Sequence, residues 1–383
     1  MDLEFAGVCL CALIAAIAAA VSASACHRLK RLRPIAPAAG PSDERPRVSV
    51  VVPARDEGET LEPALRSVLA QRGVDLQVIL VDDHSSDATG GIADRIARED
   101  ARLVVVHAPP LPPGWLGKAN AMQAGAGLAT GDYLLFTDAD VHHHPDCLAT
   151  FVRALEAERL DFISGFPVVE IRSLWEHIDV AMYVGGMGLA DWMVERRGGA
   201  GAADAVAAGA FMLFRAECFR AIGGFEAVSG EMLDDLGIAR LLHRQGRPIG
   251  NRFGPGLLRV QLFHGNREAF WAPTKNILLA VEGFEWLTPL MVLLVAVYFL
   301  LPAAAAAWGL AAGMPALAIA GLGAYAVQYA GALPLRRILD FGLLKYAAFP
   351  LVAIGAAACG LRALYHHARG EILWRHRAIR AKR

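Results

Sequence analysis

The 383-residue chain carries 37 Lys and Arg against 38 Asp and Glu, a formal net charge of −1; 55% of it is hydrophobic and only 20% is charged. That balance excludes a generally basic nucleic-acid binder and an acidic disordered tail, and the apolar excess points to segments that live in lipid. The six cysteines (Cys9, Cys11, Cys26, Cys147, Cys218 and Cys359) contain no CxxC pair, so they indicate neither a zinc site nor a disulfide framework, and the default setting is the reducing cytosol.

Phe5–Cys26 is an uncharged run of 22 residues, long enough to cross a hydrocarbon core as a helix. Its N-terminal flank is acidic (Asp2, Glu4) and its C-terminal flank is basic (Arg28, Lys30, Arg31, Arg33), which reads as an uncleaved anchor over 1–27 with its N-terminus outside. A basic, Pro-rich linker follows over 28–47.

Val48–Pro53 is a continuous β-branched run, the pattern of a parallel strand buried on both faces. Further strands are expected at Leu76–Val81, Leu103–Val106 and Tyr133–Thr137, alternating with helices at Leu61–Ala70, Thr89–Arg98 and Lys118–Ala129. This alternation predicts an α/β fold built on a mostly parallel, Rossmann-like sheet, whose ligands bind beyond the carboxyl ends of the strands. Polar clusters stand at those ends: Pro53–Glu57, Asp82–Asp87 and Asp138–Asp140. Arg196–Ala205 is rich in Gly and Ala and reads as a loop.

Carboxylates at i and i+2 past a strand end, as in Asp138-Ala139-Asp140, can share one hard divalent cation that bridges diphosphate oxygens. Asp82 and Asp83 are placed to accept from a nucleobase or ribose, while Ser85, Ser86 and Asp87 can cap the next helix. Lys118 closes a Pro-rich loop at a helix start, where a cation suits a diphosphate. Asp234 and Asp235 precede an amphipathic helix, as a helix cap or as a general base aimed at an acceptor hydroxyl. Three consecutive His, His142 to His144, cannot all face one ion and are expected to cap a helix or face water.

Near the C-terminus, Arg267–Trp286 mixes charges with Phe270, Trp271, Phe284 and Trp286 and reads as an interfacial amphipathic helix over 267–286. Trp286–Leu335 has no charged residue over 50 positions, about 75 Å as a helix, so two spans are expected with a break among Pro302, Gly309, Gly313 and Pro315. The run Tyr346–Leu361 is only 16 residues long. A third full span would carry the basic tail 362–383 outward against the charge rule, so two to three helices are expected over 287–361, the last uncertain in depth.

In this order the motifs resemble the family 2 glycosyltransferases with the GT-A fold, over roughly 48–285. They are Val-Val-Pro-Ala-Arg-Asp-Glu at 51–57, Val-Asp-Asp-His-Ser-Ser-Asp at 81–87, Thr-Asp-Ala-Asp at 137–140, Gly209-Ala210-Phe211 with Arg215, Gly223-Gly224-Phe225 and Asp234-Asp235. Pro-Pro-Gly-Trp-Leu-Gly-Lys at 112–118, Arg-Glu-Ala-Phe at 267–270 with Lys275-Asn276, and Trp374-Arg375-His376-Arg377 are similar to the membrane subgroup of hopene-associated and carotenoid (diaponeurosporenoate-type) enzymes.

The resemblance implies a GT-A catalytic domain over 48–266, and the basic flank after the first apolar run places it on the cytosolic face of the inner (plasma) membrane. The resemblance also implies a nucleotide-sugar donor of UDP type held by Pro53, Ala54, Arg55, Glu57, Asp82, Asp83, Lys118 and Asp138. It further implies Mn2+ or Mg2+ on Asp138 and Asp140, Asp235 as base beside Asp234, inversion at the anomeric carbon and a lipid acceptor. No QxxRW motif follows Asp235, which disfavours polymer synthesis. The alternatives are a polyprenyl-phosphate sugar transferase, which needs no base, and an inactive membrane scaffold. A nucleic-acid partner is not expected, and a channel is disfavoured because the spans hold almost no ionisable residue.

Overall fold

The computed structural model describes residues 3–36, 45–198, 206–231, 234–274, 285–369, 371–374 and 377–380. The chain divides into two units. An α/β unit comprises Arg31–Val169 and Ala190–Gln261, and an apolar unit comprises Met1–Lys30, Glu170–Leu189 and Leu262–Arg383.

In the α/β unit, β1 (Arg33–Pro34), β2 (Arg47–Ala54), β3 (Asp75–Asp82), β4 (Leu103–His107), β5 (Tyr133–Phe136), β7 (Phe162–Phe166), β9 (Met212–Arg215) and β10 (Ile249–Phe253) form one sheet, ordered β1-β10-β7-β9-β5-β2-β3-β4. All pairings are parallel except the two made by β9. The expected strands are therefore present, and Pro34, read as linker, pairs with Phe253 at the sheet edge. A smaller sheet places β11 (Leu258–Val260) between β6 (Val141–His143) and β8 (Val168–Glu170).

The sheet is buried on both faces, as continuous apolar strands require. Val48, Val50, Val52, Val78 and Leu80 pack on one side against α2 (Leu61–Leu69), α3 (Thr89–Glu99) and α5 (Cys147–Ala157). Val51, Ile79, Val81 and Phe136 pack on the other against α4 (Gly117–Ala126), α7 (Ala216–Ala221) and α8 (Asp234–Arg244). Phe136 meets Phe225 edge-on at 4.8 Å.

In the apolar unit, four helices are long and apolar enough to cross a membrane: Leu3–Lys30, Thr288–Ala311, Pro315–Arg337 and Phe349–Ala368. The expected break falls within the marked stretch, though not at Pro302. Pro302 lies inside the second helix, and the Tyr298 carbonyl, which its missing N–H would have bonded, accepts from Gln328 Nε2 at 2.7 Å. The break is made by Gly313, with φ +68°, and by Pro315 at the start of the next helix.

The last helix passes beyond Leu361 to Ala368. Arg362 is tolerated there because its guanidinium stacks over the Trp271 ring at 4.8 Å. Leu343–Tyr346 forms a separate short helix before it. Helix α6 (Leu174–Gly198) takes in Arg196–Gly198 of the expected loop, and 199–205 lie outside the described residues. Of the expected interfacial helix, α9 (Asn266–Trp271) is helical and 275–284 lie outside the described residues.

Candidate active site

Parallel pairing fixes which polar residues meet. β2, β3 and β4 end side by side, with Ala54 opposite Asp82 and Asp82 opposite His107. Just past these ends Asp56, His84 and Ala108 adopt left-handed backbone (φ 52°, 58° and 42°). Three strained non-glycine residues along one sheet edge are the kind of feature that functional loops retain.

Asp82 and Asp83 are both buried. Asp82 accepts from the Ser85 amide (3.0 Å) and lies 3.2 Å from His107 Nδ1, while His107 Nε2 reaches Asp94 at 2.9 Å. Asp94 first and Asp82 second raise the His107 pKa. Asp83 faces His84 Nδ1 at 3.0 Å and Arg55 Nη1 at 3.6 Å, and Arg55 also donates to the Asp83 carbonyl. Asp87, just before α3, accepts from the Thr89 amide and from the Gly58 amide. Pro53 and Ala54 end β2, and the Ala54 carbonyl accepts from the Asp83 amide. Glu57 accepts from the Thr60 hydroxyl at the start of α2.

A second group lies one loop away. The side chain of Lys118, at the start of α4, meets Asp138 Oδ1 at 2.6 Å. Asp235, in the first turn of α8, accepts from the Gly209 amide (3.1 Å) and the Leu236 amide (2.8 Å). Asp234 accepts from the Asp235 amide, and its other oxygen is buried without a hydrogen-bond partner. These groups converge on one glycine: a Cβ on Gly209 would lie 3.2 Å from Lys118 Nζ, 3.6 Å from Asp235 Oδ2 and 3.8 Å from Asp138 Oδ2. Burial, with Asp234 beside it, pushes Asp235 up to about 6 although Lys118 pulls it down. The surrounding carboxylates hold Lys118 firmly protonated. Gly117 joins the two groups, since a Cβ there would stand 2.2 Å from Asp83 Oδ2.

Asp138 and Asp140 flank the buried Ala139 and supply the hard oxygens that Mg2+ and Mn2+ prefer. Among the described residues no three His, Cys, Asp or Glu side chains gather as a complete ligand set. A cation held there would draw its remaining ligands from phosphate and water, so the residues fit a cation that arrives with a diphosphate.

The histidine run corrects the sequence reading. His143 neither caps a helix nor faces water: alternation along β6 buries it, its Nε2 meets Thr137 Oγ1 at 3.1 Å, and burial lowers it to about 3. Arg215 pairs with Glu156 and the Leu160 carbonyl. His107 was missed in the sequence, where its only signal is its place as the last residue of a strand.

This is an α/β fold whose strand ends gather carboxylates and a lysine. Residues 49–223 match the family model described as Glycosyl transferase family 2. The chain is 34% identical over 115 residues to the Succinoglycan biosynthesis protein ExoO of Rhizobium meliloti (strain 1021), covering 30% of this chain and 31% of that one. It is 36% identical over 94 residues to the 4,4'-diaponeurosporenoate glycosyltransferase of Staphylococcus haemolyticus (strain JCSC1435), 24% of each chain. The chain thus aligns with about a third or less of these relatives' lengths. In fold it is similar to the mannosyltransferase PcManGT of Pyrobaculum calidifontis, solved with GDP-Man and Mn2+, at a TM-score of 0.54 and 21% identity over 94% of this chain and 99% of that one.

Proposed function

We propose that this protein transfers a sugar from a nucleotide sugar, of UDP type, to a lipid acceptor at the cytosolic face of the inner (plasma) membrane. The transfer is a single, inverting, non-processive displacement. The observation that carries this reading is the convergence of Lys118, Asp138 and Asp235 around Gly209, inside a family 2 domain of a chain with four apolar helices.

Arg55, Asp82 and Asp83 hold the nucleoside, and the Pro53–Glu57 turn closes that edge of the sheet. Lys118, at the start of α4, holds the diphosphate and keeps its proton as negative charge develops on the leaving group. Asp138 and Asp140 would hold Mn2+ or Mg2+, whose positive charge neutralises the departing diphosphate when bound. Asp235 accepts the proton of the acceptor hydroxyl; its raised pKa of about 6 leaves it ionised yet basic at neutral pH. Asp234 shapes that basicity by like charge. The Gly209 amide fixes the Asp235 carboxylate in place.

The test is nucleotide release from purified full-length protein with Mn2+, across UDP-sugars and GDP-sugars, with and without a membrane lipid extract. GDP-sugars belong in the panel because the Pyrobaculum mannosyltransferase was solved with GDP-Man. Lipid-dependent release from one sugar supports the proposal. Absence of release from every sugar, together with no stabilisation by nucleotide and Mn2+, favours an inactive scaffold.

A further inference from the structure

The apolar unit contains a second set of buried polar groups, on the first turns of α6. Glu176 is 1% exposed and Asp179 5% exposed. Glu176 forms a capping box with Ser173: its Oε2 accepts from the Ser173 amide at 2.5 Å and the Arg172 amide at 3.2 Å, and the Ser173 hydroxyl accepts from the Glu176 amide. That accounts for one oxygen. Glu176 Oε1, Asp179 Oδ2 and Trp175 Nε1 are all buried without a hydrogen-bond partner.

Asp179 lies one turn on from both Trp175 (i, i+4) and Glu176 (i, i+3) along α6, and Glu176 is close enough to act on Asp179 by like charge. The helix Val352–Ala368 packs against Trp175. A Cβ on Gly355 would lie 3.4 Å from Trp175 Nε1, and Asp179 is within electrostatic reach of Cys359 one turn further on. Trp175 also stacks on Phe270 at 4.6 Å, and the Cys359 thiol donates to the Phe270 carbonyl at 3.1 Å. The polar atoms therefore stand in an aromatic and small-residue surround.

Buried polar groups are almost always paired, so three orphans on the first turns of α6 call for a partner. The set comprises one N–H donor and two carboxyl acceptors. A hydroxyl complements it, because one hydroxyl both accepts from an N–H and donates to a carboxylate. A metal ion does not, since it would face the indole N–H and, among the described residues, no third acidic, His or Cys ligand gathers there. Burial first and Glu176 second push Asp179 up to about 7, which suits a neutral partner.

We propose that Trp175, Glu176 and Asp179 form a binding site for the hydroxyl group of a membrane-resident lipid alcohol. The proposal goes beyond the sugar-transfer reading; it rests only on the apolar unit lying in a bilayer.

The test uses the full-length protein in phosphatidylcholine nanodiscs, whose lipid has no hydroxyl donor. Hexadecanol and hexadecyl methyl ether are titrated while the thermal midpoint is read. The expected result is a rise with the alcohol and none with the ether. Asp179→Leu removes an orphaned buried carboxyl, so its midpoint without ligand should rise while its affinity for the alcohol falls at least tenfold. Asp179→Asn, which keeps polar atoms and shape, is the second variant and should retain part of the response. Stabilisation by nucleotide with Mn2+ is recorded in parallel and should be unchanged in both variants, so a failure of the donor site is read separately. An equal response to alcohol and ether, no response to the alcohol, or an Asp179→Leu protein that is destabilised or keeps its affinity overturns the proposal.

Discussion

The two acidic clusters of this molecule differ in how far the fold satisfies them, with Asp234 holding the one unpartnered buried carboxylate oxygen among the described strand-end residues. At the strand ends of the α/β unit, Asp235 is held by two backbone amides, Asp138 by Lys118, and Asp82 by an amide and a histidine. On α6, two carboxylate oxygens and an indole N–H stand buried with no partner. Carboxylates that the fold itself satisfies can stay ionised, which is what a diphosphate, a cation and a proton-accepting step require. Carboxylates left unsatisfied shed charge and wait for a donor. The same residue types thus serve different chemistry according to whether backbone and cations reach them.

The largest effect that would sharpen this contrast is expected at Asp138. Asp138→Asn should lower turnover by about 10³-fold, in line with the several kcal/mol a Lewis-acid cation contributes to charge stabilisation. Chelation by EDTA should reproduce the loss, and Mn2+ should restore wild-type but not variant activity in a nucleotide-release assay. If both proteins are equally active without metal, the assignment of Asp138 is broken. Lys118→Ala comes next, at about 10²- to 10³-fold in kcat, the cost of removing one preorganised charge partner of a leaving group. A KM effect alone would reduce Lys118 to a ground-state contact.

The pH profile gives a smaller, signed effect. Asp235 must be unprotonated to accept a proton, and its folded pKa of about 6 lies above the ordinary carboxylate value. Activity should therefore be flat above pH 6 and fall about tenfold per unit below it. A profile flat down to pH 4.5 would contradict the burial argument.

The smallest expected effect lies in the apolar unit and concerns packing. A Cβ on Gly321 would come within 2.5 Å of the Ala306 amide nitrogen, whereas one on Gly323 meets nothing within 4 Å. Gly321→Ala should cost about 1–3 kcal/mol by overpacking, seen as a lower thermal midpoint in detergent, and Gly323→Ala should cost far less. Equal effects would mean that the helix pair does not depend on this close approach.

How far each region was legible follows from the same contrast. Parallel strands buried on both faces write themselves as β-branched runs, and their carboxyl ends share one edge, so the positions of Asp82, Asp138 and their neighbours could be read directly. What joins them could not. Gly209 and Gly117 act by lacking a side chain, and the packing they permit appears only in three dimensions. His107 was invisible because its partner Asp82 is set by strand register. His143 was misread because a three-residue strand, too short to show a pattern, set its direction. Which of the four marked residues makes the break was not legible, because the carbonyl that Pro302 frees is taken by Gln328, 26 residues on. The α6 cluster looks like an ordinary capped helix start, and only burial distinguishes it.

The central claim is that Asp235 removes the acceptor's proton after the donor has bound. The most direct test compares wild type with Asp235→Asn in two measurements on one preparation, nucleotide binding with Mn2+ and lipid-dependent nucleotide release. The account predicts binding within a few-fold of wild type and turnover lowered by about 10²- to 10⁴-fold. Turnover retained in Asp235→Asn would contradict it and would instead fit an acceptor that is already anionic, such as a polyprenyl phosphate.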